Sequence, residues 1–183
     1  MKQLNLTDVQ EAAEFTRLPA GAYKCVITDV VDVEDKEYLK VSYDIAEGDY
    51  LGYYTDIRKA HPDWEWVGAY VKSYKVKALP MLKRFCSAVS KSNGNYIFDA
   101  GSINSDEKTL VGKMIGLVLR EEEYYSNSGD KRTRLVVYRE CAVDTVDDQK
   151  VPECKRLEEE VSTPRPSADE FIAVPEGSAE VPF

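Results

Sequence analysis

The sequence predicts a mostly β protein with one internal helix. Apolar and polar residues alternate in several short segments, which is the period expected of half-buried strands. One segment, residues 78–92, instead has apolar residues at helical spacing. Because the segments follow one another as three strands, one helix and two strands, their order is that of a five-stranded OB-fold barrel with one helix between strands 3 and 4. A mixed α+β sheet is the alternative.

The N-terminal part of the chain predicts a short helix and two strands. Residues 7–14 are typical of a helix, because Thr7 can cap it and Gln10 stands at the capping-box position. Alternation then predicts a first strand over residues 23–28. The clearest alternation, over residues 38–45, predicts a second strand with one core face and one face in water. The core face comprises Leu39, Val41, Tyr43 and Ile45, and the wet face comprises Tyr38, Lys40, Ser42 and Asp44.

The rest of the body predicts three strand regions and the helix. Residues 53–74, rich in aromatic side chains, are expected to form an interrupted third strand. The helix over residues 78–92 is expected to end at Asn93-Gly94, which suits a C-cap. Two further strands, over residues 110–119 and 133–143, are expected to be joined by a hairpin turn of Ser, Asn, Gly and Asp residues.

Charge divides the chain into two parts. The 183 residues carry a net charge of −9, which on its own argues against nucleic-acid binding, since phosphate contacts require Lys and Arg. Residues 157–183 hold seven acidic residues and one basic residue, a net charge of −6, whereas residues 1–156 hold 23 basic and 26 acidic residues. We therefore expect an OB-fold nucleic-acid-binding domain over residues 1–156, with residues 1–18 as a helical extension. The Pro- and Ser-containing residues 157–183 predict a disordered acidic tail.

Composition also limits the kinds of site that we expect. The four cysteines are scattered without a CxxC pair and His61 is the only histidine, so the sequence shows neither metal-ligand spacing nor a nucleophile–histidine pattern. We expect no catalysis, no metal and no cofactor. The acidic groups at residues 121–123 and 144–148 would suit a metal-dependent nuclease only if they converged in space. No apolar run is long enough for a membrane span or a secretory signal, which indicates a cytoplasmic protein.

Aromatic and basic residues are interleaved in a pattern that suits single-stranded nucleic acid. Flat rings provide stacking surfaces for bases, and cations follow the phosphate backbone. A second basic group, which comprises Lys131, Arg132 and Arg134, begins the last predicted strand. The candidate DNA-binding residues are Tyr53, Tyr54, Arg58, Lys59, Trp64, Trp66, Tyr70, Lys72, Tyr74, Lys75, Lys77, Lys113, Arg120, Lys131, Arg132 and Arg134. Half-buried strand tyrosines and a solvated hairpin face are the plainer alternatives for these residues.

The last four residues, Glu180, Val181, Pro182 and Phe183, form a candidate docking tip. Phe183 combines an aromatic ring with the terminal carboxylate at the end of an acidic stretch. A partner protein with an apolar pocket and a basic rim would bury the ring and pair with the carboxylate. The tip resembles that of bacterial single-stranded DNA-binding proteins, and the resemblance implies recruitment of replication and repair proteins.

Segments spread over the body carry a second resemblance. They are residues 38–48 (YLKVSYDIAEG), residues 77–85 (KALPMLKRF), and residues 110–113 (LVGK) with residues 121–124 (EEEY). These segments resemble a family of early-region phage proteins that are regarded as single-stranded DNA-binding proteins. The resemblance implies an OB fold and binding of single-stranded DNA, and it assigns no individual binding residue.

These observations lead to one expected function and two alternatives. We expect a non-catalytic, sequence-tolerant single-stranded DNA-binding protein of phage replication or recombination, acting in the cytoplasm of a bacterial host cell. It would protect single-stranded DNA and recruit replication or recombination proteins through its tail, and the sequence leaves room for a homo-oligomer. The alternatives are an acidic interaction module or DNA mimic that does not bind single-stranded DNA, and a metal-dependent nuclease.

Overall fold

Five strands and two α-helices make up the part of the chain that the computed structural model describes, residues 16–94, 96–98, 100 and 106–157. In chain order they are β1 (Gly21–Val33), β2 (Tyr38–Ile45), α1 (Tyr53–Ala60), β3 (Ala69–Ser73), α2 (Leu79–Ser92), β4 (Met114–Tyr125) and β5 (Lys131–Cys141). The strands form one antiparallel sheet in the order β3-β2-β1-β4-β5. The prediction of a mostly β protein with a helix after the third strand is confirmed.

Two sequence predictions concern residues beyond this part of the chain. The helix predicted over residues 7–14 and the tail with its docking tip, Glu180 to Phe183, lie outside the described residues. Within the described ranges, neither α-helix has the length and apolar character that a membrane crossing requires.

The core lies between the inner face of the sheet and α2. Alternation along β2 buries Leu39, Val41, Tyr43 and Ile45, as the sequence predicts. On α2, Leu82, Phe85 and Val89 recur at helical spacing and pack into the same cluster. Burying side chains of this size stabilises the fold by about 1.5–3 kcal/mol each.

Residues 53–60 form helix α1, so the prediction of a strand at this position was wrong. Gly52, at the start of the helix, offers no side-chain cap. Asp44 of β2 supplies one instead, because its carboxylate accepts the backbone N–H groups of Tyr54 (2.9 Å) and Thr55 (3.0 Å). Asp44 is therefore buried, Ser42 is buried as well, and Lys40 is the one exposed residue of the predicted wet face.

The two edge strands of the sheet, β3 and β5, are linked by an ion pair in the interior. Lys72 of β3 pairs with Glu140 of β5, and Arg84 of α2 places its Nε 3.5 Å from the second carboxylate oxygen of Glu140. The side chain of Glu140 is 0% exposed and that of Lys72 is 11% exposed. The backbone hydrogen bonds leave β3 and β5 as the two edges of an open sheet. The ion pair between Lys72 and Glu140 brings these two edges together.

The distal halves of β4 and β5 extend past β1 as a hairpin. The turn at residues 126–130 agrees with prediction, while β4 runs further along the chain than the predicted end at residue 119. Residue Lys155 lies beside the free edge of β4, exchanging backbone hydrogen bonds of 2.9 Å with Glu121 and Glu123. Hydrogen bonds from Lys131 and from the backbone N–H of Leu157 lower the pKa of Glu123. The last residues that the structure describes, up to Leu157, therefore lie at this hairpin.

Candidate nucleic-acid interface

The outer face of strands β1, β2 and β3 is open to solvent. The strand register places Val31, Lys40 and Val71 side by side across the three strands. Val31 is 42% exposed, Val71 is 55% exposed, and Lys40 is also exposed. Since the neighbours of these residues along each strand point inward, the three side chains form a mixed apolar and basic row on one surface.

Two tryptophans follow α1 and lie beside this outer face. Trp66 is partly buried, and its indole N–H donates to the carbonyl oxygens of Tyr43 (3.2 Å) and Gly68 (3.0 Å). Trp64 is 54% exposed, and its ring stacks on the imidazole of His61 with 4.0 Å between the centroids. Trp66 therefore anchors the loop, and the loop presents Trp64 to solvent with one ring face covered by His61.

Gly68 allows this loop to lie close to β2. A Cβ at Gly68 would lie 2.6 Å from the backbone oxygen of Tyr43 and 2.6 Å from the ring of Tyr54. Its own carbonyl accepts both the Trp66 indole and the backbone N–H of Tyr43. A side chain at this position would push the tryptophan loop away from the sheet.

A cavity of about 620 Å³ lies between the tryptophan loop and the sheet, and we name it the tryptophan cavity. Its volume is within the range of small-molecule sites, about 300–1,000 Å³. Arg58 and Lys40 both face it, and neither has an ion-pair partner among the described residues. The lining residues are Thr28, Asp29, Lys40, Ser42, Arg58, Asp63, Trp64, Glu65 and Trp66.

Three of the candidate stacking tyrosines belong to the core side of the sheet. The hydroxyl of Tyr54 lies 3.3 Å from that of Tyr43, and the ring of Tyr70 lies 5.7 Å from the ring of Tyr43. Burial raises the pKa of Tyr54 to about 12 and raises the pKa of Tyr70 above its usual range. Tyr53 packs against the core, and its hydroxyl accepts the backbone N–H of Leu18 (3.1 Å). Only large movements of the chain would bring these rings into contact with a base.

The candidate residues from Lys72 to Lys77 divide between the interior and the surface. The ammonium of Lys72 is held by Glu140 in the interior. Tyr74 donates to a carboxylate oxygen of Asp32 (2.9 Å), and desolvation together with this bond raises the pKa of Tyr74 to about 12. Lys75 and Lys77 are exposed just beyond the end of β3. They follow the end of β3, whereas Trp64 precedes its start.

The second basic group is neutralised within the β4–β5 hairpin. The register sets Glu122 directly opposite Arg134, and both Arg120 and Arg134 approach its carboxylate to within 3.7 Å. Lys131 pairs with Glu123 at 2.9 Å. Cation–π contacts add to these pairs, Arg134 on Tyr124 and Arg120 on Tyr138. The remaining contacts of this group are Arg132 with Asp130 (3.5 Å) and, outside the hairpin, Lys113 above the ring of Tyr96 (4.5 Å).

The acidic groups do not converge in the described part of the chain. Residues 121–123 lie along β4, where Glu122 and Glu123 pair with basic side chains of the hairpin and Glu121 pairs with Arg17, while Asp144, Asp147 and Asp148 follow β5. Among the described residues, no group of three or more His, Cys, Asp or Glu side chains is placed to hold a metal ion.

Comparison of the sequence with protein-family models and with curated proteins finds no match. The interpretation of the site therefore depends on its own geometry. Of the candidate residues, Arg58, Trp64 and Trp66 meet at the tryptophan cavity, whereas Lys59 pairs with Asp56 on the far side of α1.

Several residues of this surface were missing from the sequence candidates. Lys40 was placed on the wet face of its strand, which was the available signal, but its neighbours Val31 and Val71 belong to other strands. Thr28 lies at a bulge of β1, between Ile27 and Asp29, and the sequence carries no sign of that irregularity.

Proposed function

We propose that this protein is a non-catalytic, largely sequence-tolerant single-stranded DNA-binding protein of phage replication or recombination, and that DNA lies along the outer face of β1–β3. The tryptophan cavity stands at one end of this path and Lys75 and Lys77 at the other. Lys40 lines the cavity, and Val31 and Val71 flank it on the neighbouring strands.

The topology supports an OB-fold barrel as the framework of this proposal. An OB barrel has its helix between the third and fourth strands and binds oligonucleotides on the face of strands 2 and 3. The order β3-β2-β1-β4-β5, with α2 after β3, is compatible with such a barrel. The ion pair between Lys72 and Glu140 lies where β3 and β5 would meet if the sheet closed.

Trp64 is the observation that carries the proposal. It is an exposed indole with one ring face on His61, beside two cations, Arg58 and Lys40, that have no ion-pair partner among the described residues. A base stacked on an aromatic side chain contributes about 1–3 kcal/mol and requires no particular sequence. The outer face thus combines a stacking surface with free cations, whereas the cations of the hairpin are already paired.

Replacement of Trp64 by Ala is expected to weaken binding of single-stranded DNA by about 1–3 kcal/mol, because it removes one stacked base. Fluorescence anisotropy of a labelled oligonucleotide measures this change. Tyr125→Ala is the matched control, since Tyr125 is 64% exposed but lies at the tip of the β4–β5 hairpin. Equal affinities of the Trp64 and Tyr125 variants would argue against the outer face as the binding surface.

Variants of two neighbouring cations on α1 provide a further test of the same binding surface. Arg58→Ala is expected to reduce the dependence of affinity on salt by about one phosphate contact, whereas Lys59→Ala leaves it unchanged.

A protein that binds no single-stranded oligonucleotide at low salt is instead an acidic interaction module or DNA mimic, and cleavage of the oligonucleotide with Mg²⁺ would indicate a nuclease.

The second part of the proposal concerns the C-terminal tip and rests on the sequence. We expect Val181, Pro182 and Phe183 to dock replication or recombination proteins by burying the Phe ring and pairing the terminal carboxylate. Deletion of these three residues is expected to abolish capture of replication proteins from infected-cell extract while leaving oligonucleotide affinity unchanged. Replacing Val174 and Pro175 by Ala, in the same tail, is the control. Loss of DNA affinity in the deletion variant would contradict the separation of the two functions.

A further inference from the structure

Carboxylates line the tryptophan cavity as well as cations. Asp63 and Glu65 flank Trp64 in the chain, are exposed, and have no ion-pair partner among the described residues. Asp29 also lines the cavity, where Lys108 lies 2.9 Å from its carboxylate. Free carboxylates repel phosphate groups, so a phosphate held by Arg58 or Lys40 stays away from Asp63 and Glu65, and the space beside these two carboxylates does not hold the DNA backbone. A neutral group with hydrogen-bond donors fits it better.

A hydroxyl group in the wall of the cavity also lacks a partner. Thr28 lines the cavity at the bulge of β1, and its oxygen is shielded from solvent without a hydrogen-bond partner in the described part of the chain. Buried polar groups in folded proteins nearly always form a hydrogen bond, with protein, water or ligand. The Thr28 hydroxyl is independent of the carboxylates, and a polar group reaches it only where the wall of the cavity shifts to uncover it.

We infer that the tryptophan cavity is a base-selective subsite that takes cytosine or adenine in preference to thymine or uracil. This inference rests on the proposed function. The base would stack on the open face of Trp64, and its exocyclic amine would donate to the carboxylate of Asp63 or Glu65. An ionised carboxylate only accepts hydrogen bonds, and pairing of Asp or Glu with the cytosine amine is a known form of base recognition.

The discrimination follows from the atom at C4 of the pyrimidine ring. Cytosine carries an NH₂ donor there, and uracil carries a carbonyl oxygen. A carbonyl facing Asp63 or Glu65 would set two acceptors against each other, and the one donor of uracil on this edge, N3–H, lies between two such carbonyls. The preference acts at one subsite, so the rest of the outer face binds DNA without regard to sequence.

Oligo-dC and oligo-dU of equal length provide the test, because they differ only in the groups on the Watson–Crick edge. Full-length protein is titrated with each labelled oligonucleotide at neutral pH, where oligo-dC is unfolded. We expect oligo-dC to bind about fivefold more tightly or better. Equal affinity would overturn the inference while the proposed function stands. Failure to bind either oligonucleotide would overturn the proposed function itself.

Two charge-matched double variants identify the groups responsible. Asp63→Asn with Glu65→Gln is expected to remove the preference and to bind oligo-dU at least as well as the unaltered protein. Asp49→Asn with Asp148→Asn removes the same charge from exposed positions outside the cavity and is expected to keep the preference. A preference that persists in the first variant, or disappears equally in both, would overturn the role of the cavity carboxylates. Thermal melting of each variant confirms that it is folded.

Discussion

Replacement of Glu140 by Gln is expected to lower the free energy of unfolding by about 3–5 kcal/mol, because it leaves a charged partner without a counter-ion in the interior. Lys72, the partner on the opposite edge strand, is only 11% exposed. Arg84, the second partner, is 48% exposed and can turn to solvent. Most of the loss in stability should therefore come from the unpaired Lys72. The loss is measured as a lower midpoint of urea unfolding with an unchanged slope.

Two further variants separate this effect from simple loss of an ion pair. Glu47→Gln removes the exposed pair between Glu47 and Lys24 (2.8 Å) and is expected to cost less than about 1 kcal/mol. The double variant Lys72→Met with Glu140→Leu replaces both buried charges and should recover much of the stability lost in Glu140→Gln. If the double variant were as unstable as the single one, the cost would come from packing at Glu140 and not from the unpaired ammonium.

The ion pair between Lys72 and Glu140 also affects the proposed DNA surface, because β3, one of the two strands that it joins, carries part of that surface. Lys72 is on β3, and its neighbour Val71 points to the outer face that we propose for DNA. Release of β3 from β5 would free the edge of the sheet that carries this surface. Glu140→Gln should therefore weaken DNA binding as well as stability, although Glu140 itself is 0% exposed.

Sequence patterns predicted the elements whose stability is local. The alternation over residues 38–45 and the helical spacing over residues 78–92 lead directly to β2 and α2, because each pattern matches the face that is buried. Helix α1 could not be predicted in this way. Its cap comes from Asp44, nine residues before the helix begins and on another element, so only the folded chain brings donor and acceptor together.

The exposure of the candidate site residues could be predicted only in part, for the same reason. Alternation shows that Tyr70 and Lys72 share a face of β3, but it does not show which face is covered, and both lie on the inner one. The pairing of Glu122 with Arg134 follows from hairpin register, which a turn at residues 126–130 determines once both strands are known. Trp64 fell within the predicted third strand, and the structure places it in a loop, where its exposure does not depend on strand register.

Replacement of Asp44 by Ala is expected to have the second large effect, a loss of about 3 kcal/mol or more in the free energy of unfolding. The carboxylate accepts four hydrogen bonds, from the backbone N–H groups of Ile45, Tyr54 and Thr55 and from the Thr55 hydroxyl (2.6 Å). Alanine would leave three backbone donors in a buried region without an acceptor. Urea unfolding followed by far-UV circular dichroism measures the change.

Asp56→Ala is the matched control, since it makes the same substitution on α1 itself. Asp56 is exposed and pairs with Lys59 at 2.9 Å, so its loss should cost less than about 1 kcal/mol. Asp44→Asn keeps one carbonyl acceptor and should fall between the two alanine variants. Similar midpoints for Asp44→Ala and Asp56→Ala would mean that α1 is held by Tyr54 and Ile57 in the core and not by its cap.

The Asp44→Ala variant also tests the link between the fold and the proposed function. Asp44 fixes the start of α1, and α1 carries Arg58 and leads into the loop of Trp64. Where Asp44→Ala is still folded, we expect weaker DNA binding and a smaller near-UV circular dichroism signal from the tryptophans, because their loop has lost its fixed position. Asp56→Ala should change neither quantity. An Asp44→Ala protein that keeps full affinity would show that the tryptophan loop is positioned by Trp66 and Gly68 alone.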